Sequence, residues 1–406
     1  MLKPFTSALL LQSGYNAALV AVGAALLGFA AGSGGAFMFL RKRALVSDAV
    51  AHATLPGVGI AFMVMVTLGA DGRNLLGLLL GSALSAGIGL LAVEWITRRT
   101  RLAEDAAIGA VLSVFFGFGI VLLTIIQTMS RGKQAGLEGF LLGSTAGMVF
   151  EDALIIAVGG ACTIAALVLL RRPMTLVAFD PEFAAASGVS VRTVDLAMMG
   201  LVLAVTVIGL KIVGLILIVA MLIIPSVTAR FWTDRTERLL GIAGLVGGAS
   251  GYAGAAISAS APDLPTGPII VLVCFGLFIA SLLLAPNRGV LASILRHRRF
   301  QVRVHRRQGL LALARGEPIL DPLTLAVLRR AGLIRNDGVA TEAGRAQSAK
   351  VLRDERRWEI VRQIHQNEAV SGRYDGLTPI EAVLTRDEIA EIDRRIGRPV
   401  PAEGAA

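Results

Sequence analysis

The chain has 406 residues, of which 55% are hydrophobic and only 17% charged, and its mean hydropathy is +0.71. This excludes a disordered segment and an ordinary soluble domain, and points to an all-α polytopic membrane protein. The net charge of +10 is uneven: residues 1–286 hold 17 Lys/Arg against 14 Asp/Glu, and residues 287–406 hold 22 against 15. The shift falls at "APNRGVLASILRHRRF", which predicts a transmembrane domain over 1–290 and a separate basic tail over 291–406.

The 46 glycines fit helices that approach closely through small side chains, and "GSGG" at 32–35 reads as such packing. Cys162 and Cys274 both lie in apolar runs, where they read as small buried hydrophobes rather than a disulfide or metal site. No cleavable signal segment is expected ahead of the first span.

A span needs about 20 apolar residues. On that rule nine fit, near 16–40, 50–69, 75–96, 106–126, 152–170, 195–209, 211–229, 239–258 and 267–285. Lys211 interrupts the sixth and seventh, so eight is the alternative. Nine is preferred because the basic clusters at 41–43, 98–101, 171–173 and 230–238 and the tail then share one face, with the N-terminus opposite. Segment 127–150 would lie on the opposite face and dip back towards the membrane. Glu94 is expected to pair with Arg98, Lys211 to snorkel, and Asp152 and Asp195 to cap span starts.

At the head of span two, "SDAVAHATLP" sets Asp48 and His52 at i and i+4 on one helix face, with Pro56 four residues further on. A carboxylate and an imidazole together suit divalent first-row metals. Pro56 has no N–H to offer the His52 carbonyl, which frees that oxygen as well. The spacing equally fits a structural role, with Asp48 capping the helix beside Arg41 or Arg43 and His52 packing.

Between spans five and six, "DPEFAAASG" predicts a short capped helix. Asp180 is its N-cap, Pro181 its first residue, Glu182 in its first turn and Gly188 past its end. A helix this short needs a partner to hold it. It is either a surface helix or one that couples the spans to a cytoplasmic motor. Pro225, late in "LKIVGLILIVAMLIIPSVTAR", predicts a kink, with Ser226 and Thr228 placed to satisfy freed backbone groups.

"RKRALVSDAVAHATLPGVGIAF", "FDPEFAAASGVSV" and "LKIVGLILIVAMLIIPSVTAR" together resemble the signature segments of permease subunits of the manganese/zinc/iron ABC importers, over about residues 10–290. The resemblance implies a dimer, of identical or related permeases, driven by a separate cytoplasmic ABC ATPase and fed by an extracytoplasmic metal-binding protein. It implies an inner-membrane location, no permanently bound cofactor, a divalent metal ion as substrate and ATP on the partner subunit. It further implies that Asp48 and His52 meet the metal, that Asp180, Pro181, Glu182 and Gly188 belong to the coupling helix, and that Pro56 and Pro225 kink helices along the pathway. The chain accordingly contains no G-x-x-x-x-G-K-[ST] phosphate loop. A permease, not an enzyme, is the expectation. The alternatives are a secondary cation transporter or channel, and a membrane-tethered regulator.

In the tail, "AGLIRNDGVATEAGRAQSAKVLRDERRWE" resembles the winged-helix region of iron/manganese-dependent repressors, and "IEAVLTRDEIAEIDRRIGRP" their dimerisation and metal-binding region. Glu359 and Glu381 match acidic positions of that pattern, but Glu355 and Ala382 stand where it has histidines. A cytoplasmic regulatory or ATPase-docking domain is therefore expected, rather than one that binds nucleic acid.

Overall fold

A computed structural model describes residues 6–7, 9–12, 14–69, 74–129, 148–261, 264–364 and 374–396. It divides into two compact units, residues 1–292 and 293–406. The first contains α1 (Tyr15–Leu40), α2 (Leu45–Thr67), α3 (Leu75–Arg99), α4 (Glu104–Thr128), α5 (Phe150–Phe179), α6 (Pro181–Ala186), α7 (Val191–Arg230), α8 (Thr236–Ser258) and α9 (Thr266–Leu284). Among the described residues nine helical segments are long and apolar enough to cross a membrane, because α7 supplies two, Val191–Leu210 and Val213–Arg230. The interruption sits at Gly214, whose φ of 76° only glycine adopts readily, rather than at Lys211. The side chain of Lys211 and most of segment 127–150 lie outside the described residues.

Helix α5 runs nine residues past the end expected for its span, straight through Pro173. Its 30 residues reach about 45 Å, well beyond a hydrocarbon core of about 30 Å. Cys274 is buried as expected, but Cys162 is exposed on α5.

Small residues set the centre of the bundle. A Cβ on Gly28 would lie 2.3 Å from the Gly247 carbonyl oxygen, one on Gly32 2.3 Å from that of Ala243, and one on Gly251 2.3 Å from that of Ala24. Residues 24, 28 and 32 of α1 thus meet 251, 247 and 243 of α8 at four-residue steps. This is a small-xxx-small seam, in which backbone contact replaces side-chain interdigitation. On a neighbouring face, a Cβ at Gly35 would sit 1.9 Å from the Leu222 carbonyl of α7. The "GSGG" stretch is therefore the packing element its composition implies. Helix α1 ends up central, with 61% of its apolar window buried, against 17% for α9.

Ion pairs gather at the ends where the basic clusters lie. Arg171 meets Glu237 at 3.3 Å, Arg230 meets Asp234 at 3.1 Å, Arg288 meets Asp234 at 2.5 Å, and Glu94 pairs with Arg98 one turn on. We refer to this as the Arg-rich end.

The second unit holds most of α10 (Val290–Arg315), then α11 (Pro322–Arg330), α12 (Glu342–Ile364) and α13 (Arg386–Ile396). Asp321 caps α11 by accepting from Thr324 N at 2.8 Å. A turn closed by one isolated bridge, Ile334 to Ala340, leads into α12. Trp358 is fully buried against Ile380 and Ile392, and its Nε1 donates to the Thr378 carbonyl.

Candidate functional site

Helix α2 begins at Leu45, so Asp48 sits in its first turn and His52 one turn deeper, about 10 Å from the Arg-rich end. Asp48 Oδ1 and His52 Nε2 are 3.3 Å apart. Two ligands at about 2.1 Å from one ion, at angles between octahedral and tetrahedral, stand about 3.0–3.4 Å apart. The pair is therefore already spaced as adjacent ligands of one metal. Phe116 of α4 meets the imidazole edge-on, with ring centroids 5.0 Å apart, and fixes its plane. His52 Nδ1 is buried and makes no hydrogen bond. Pro56 lies inside α2, one turn beyond His52, where a Cβ on Gly119 of α4 would come 3.4 Å from its Cδ. Asp48 and His52, the latter with the backbone carbonyl that Pro56 leaves without a helical donor, thus occupy two successive turns of one helix.

The alternative of a cap paired with Arg41 or Arg43 does not describe Asp48. Those arginines are committed elsewhere. Arg41 grips Asp195 with two bonds, Nε to Oδ1 at 3.1 Å and Nη2 to Oδ2 at 3.0 Å. Arg43 reaches Asp195 at 3.3 Å and Glu104 at 2.7 Å. Asp195 was expected as a helix cap, but Ser190 caps α7 by accepting from Thr193 N. Asp195 lies a turn further in, where its nearly buried carboxylate joins the ends of α1 and α7, and Arg43 extends the link to Glu104 at the start of α4. The signal was present in "SVRTVDL": with a serine already placed to cap, the aspartate needs another partner. Asp152, by contrast, does act at its helix start, accepting from Val149 N.

Backbone geometry aims the two arginines. Helix α1 ends in a Schellman motif, with Lys42 N donating to Phe39 O and Arg43 N to Met38 O. Lys42 takes the left-handed position, at φ 61°, where glycine is usual. The turn it makes sends Arg41 and Arg43 to the same carboxylate.

At the end of α5, Asp180 accepts from Phe183 N at 2.9 Å and caps α6, which starts at Pro181 and carries Glu182 in its first turn. Helix α6 closes with the same motif: Gly188, at φ 82°, donates to Ala185 O, and Val189 N donates to Ala184 O. Ala184 is buried against the bundle, while Phe179 and Phe183 are exposed. The short helix thus stands at the Arg-rich end on a projecting α5, with two aromatic rings outward.

Pro225 is followed by Ser226, whose Oγ donates to Leu222 O and to Gly32 O of α1, and by Thr228, whose Oγ1 donates to Ile224 O. None of these acceptors is the carbonyl that Pro225 frees, that of Met221. The non-helical dihedrals in α7 fall at Gly214, not at Pro225.

In the tail, Glu355 accepts from Arg307 at 2.7 Å and from the Tyr374 hydroxyl at 2.5 Å, and Glu381 meets Lys350 at 3.5 Å. Among the described residues no group of three or more His, Cys, Asp or Glu is arranged to hold a metal. The Asp48–His52 pair by itself supplies two side chains that could meet a metal.

Residues 15–285 match the ABC 3 transport family. The chain is 41% identical over 298 residues to the manganese transport system membrane protein MntC of Bacillus subtilis (strain 168), covering 73% of this chain and 67% of that one. It is 40% identical over 290 residues to the zinc transport system membrane protein TroC of Treponema pallidum (strain Nichols), covering 71% and 95%. A solved structure, PsaBC from Streptococcus pneumoniae in complex with Fab, superposes with a TM-score of 0.60 at 26% identity, covering 71% of this chain and 98% of that one.

Proposed function

The chain belongs to the ABC 3 transport family, and from that premise we propose that it is the membrane-spanning permease subunit of an ATP-driven importer of manganese, zinc or iron, with Asp48 and His52 as the point where the ion is held in transit. It is a transport subunit, not an enzyme. The observation that carries the reading is the 3.3 Å approach of the two side chains on one face of α2, in a span where ionisable groups are costly without a task. Oxygen plus imidazole nitrogen accepts all three metals. Two side chains fall short of a closed four-ligand shell, which suits an ion that must be released. The His52 carbonyl, or a second permease copy across a homodimeric or heterodimeric axis, would add further donors.

Energy comes from a separate cytoplasmic ATPase acting through α6. Its cap, its exposed Phe183 and its place on the projecting end of α5 support that role. An extracytoplasmic metal-binding protein delivers the ion to the opposite face of an inner membrane. The tail, on the cytoplasmic side, serves regulation or ATPase docking. Its resemblance to metal-dependent repressors does not extend to their ligands, since Glu355 is engaged by Arg307 and Tyr374.

The test is cellular uptake of radioactive manganese, zinc and iron by wild type and by Asp48→Ala/His52→Ala at matched protein levels. Loss of uptake of one metal, with assembly intact, supports the site and names the substrate. Unchanged uptake of all three refutes it.

A further inference from the structure

A cleft of about 690 Å³ opens on the side of α3 at the Arg-rich end, and neither Asp48 nor His52 lines it. One wall is the α3 stripe Ile88, Leu91, Ala92 and Trp95, at the i, i+3, i+4, i+7 spacing of a single helix face. The stripe ends in Arg98 and Arg99, and Arg192 from the first turn of α7 closes the cleft above it. Ile88, Leu91 and Trp95 are all more than half exposed. From Ile88 to Arg99 the helix climbs about 16 Å, close to the thickness of one leaflet.

The charge in the cleft is not balanced. Glu94 pairs with Arg98, whereas Arg99 and Arg192 are exposed and have no acidic partner among the described residues. Two uncompensated guanidiniums above an apolar wall, with a tryptophan at the junction, match a phosphate group above an acyl chain. Basic recesses of this kind between helices favour anionic lipid headgroups.

We infer that this cleft is a binding site for an anionic phospholipid, whose headgroup lies on Arg99 and Arg192 and whose acyl chain lies along Ile88, Leu91 and Trp95. A phospholipid is favoured over free phosphate because most of the lining is an apolar helix face of leaflet length. It is favoured over an acidic protein segment because that face would leave half of such a segment unmatched.

Trp95 provides the reporter. The full-length protein is placed in phosphatidylcholine vesicles with rising fractions of bromolipid, and the Trp95 signal is taken as the emission lost in Trp95→Phe. Brominated phosphatidylglycerol should quench Trp95 with an apparent affinity about tenfold above that of brominated phosphatidylcholine. Arg99→Gln/Arg192→Gln should bring the two lipids level, and Arg99→Lys/Arg192→Lys, which keeps the charge, should retain most of the preference. Millimolar inorganic phosphate should leave the preference in place. Equal quenching by the two lipids in the wild type overturns the inference, and so does a preference that survives in the glutamine variant or disappears with phosphate. The readout needs no transport, so it stands or falls independently of the metal pathway.

Discussion

Two charged clusters lie near the Arg-rich end, one around Asp195 with Arg41 and Arg43, the other Asp48 with His52, and they are satisfied differently. Asp195 is nearly buried and takes two hydrogen bonds from Arg41 and an ion pair from Arg43, which also holds Glu104. Asp48 and His52 have each other at 3.3 Å, and His52 Nδ1 is buried without a hydrogen bond. Around Asp195, among the described residues, only Arg43 Nη1 is buried without a hydrogen bond, and it still lies 3.3 Å from the carboxylate, so the cluster ties elements together. A pair spaced like metal ligands is what the proposed permeation site would require. On the proposed function, the contrast separates architecture from transport within one end of the bundle.

Removing one side of the first cluster should break the fold hardest. Asp195→Ala strands Arg41 and costs about 3–5 kcal/mol, read as loss of folded protein in detergent. Replacing Arg41 and Asp195 together with methionine should recover most of that loss, because no uncompensated charge remains. Equal damage from the single and double changes would mean that the cluster does more than hold helices.

Asp48→Ala/His52→Ala should show the opposite signature. Thermal stability should stay close to wild type while uptake of the transported metal falls about 10–100-fold. A variant that unfolds like Asp195→Ala would place the pair with the architecture.

Helix α6, proposed to couple the spans to the ATPase, sharpens the comparison. Glu182→Lys/Phe183→Asp leaves the Asp180 cap in place and should reduce metal-stimulated ATPase activity of the assembled transporter severalfold, with metal binding unchanged. Unaltered stimulation would remove α6 from the coupling role.

The smallest effect distinguishes two turns of identical design. Gly188 occupies the left-handed position at the end of α6 without strain, whereas Lys42 occupies it at the end of α1 with a side chain. Lys42→Gly should stabilise the protein by about 1 kcal/mol, and Gly188→Ala should destabilise it by a similar amount. Melting temperatures of the two variants provide the check.

Local features were legible in the sequence because local rules govern them. The nine spans follow from apolar run length, and the α6 turn from Asp180, Pro181 and Gly188 within nine residues. The role of Asp195 was not legible, because Arg41 is 154 residues away and only the packed bundle brings the two together. The break in α7 was misplaced for a related reason: Lys211 stands out by polarity, but Gly214 has the backbone freedom to leave the helix. The extension of α5 through Pro173 is set by what surrounds it rather than by propensity, which would end the helix there. At the site, the i, i+4 spacing predicted that Asp48 and His52 could meet, while Phe116 holding the imidazole required the fold.

The most direct test asks whether one ion touches both side chains. Electron spin-echo spectroscopy on the purified, manganese-loaded protein detects nitrogen coupled to the bound metal. We predict an imidazole nitrogen coupling in the wild type that disappears in His52→Gln and persists in His297→Gln, a histidine of the tail. An unchanged coupling in His52→Gln would contradict the account and move the metal pathway away from α2.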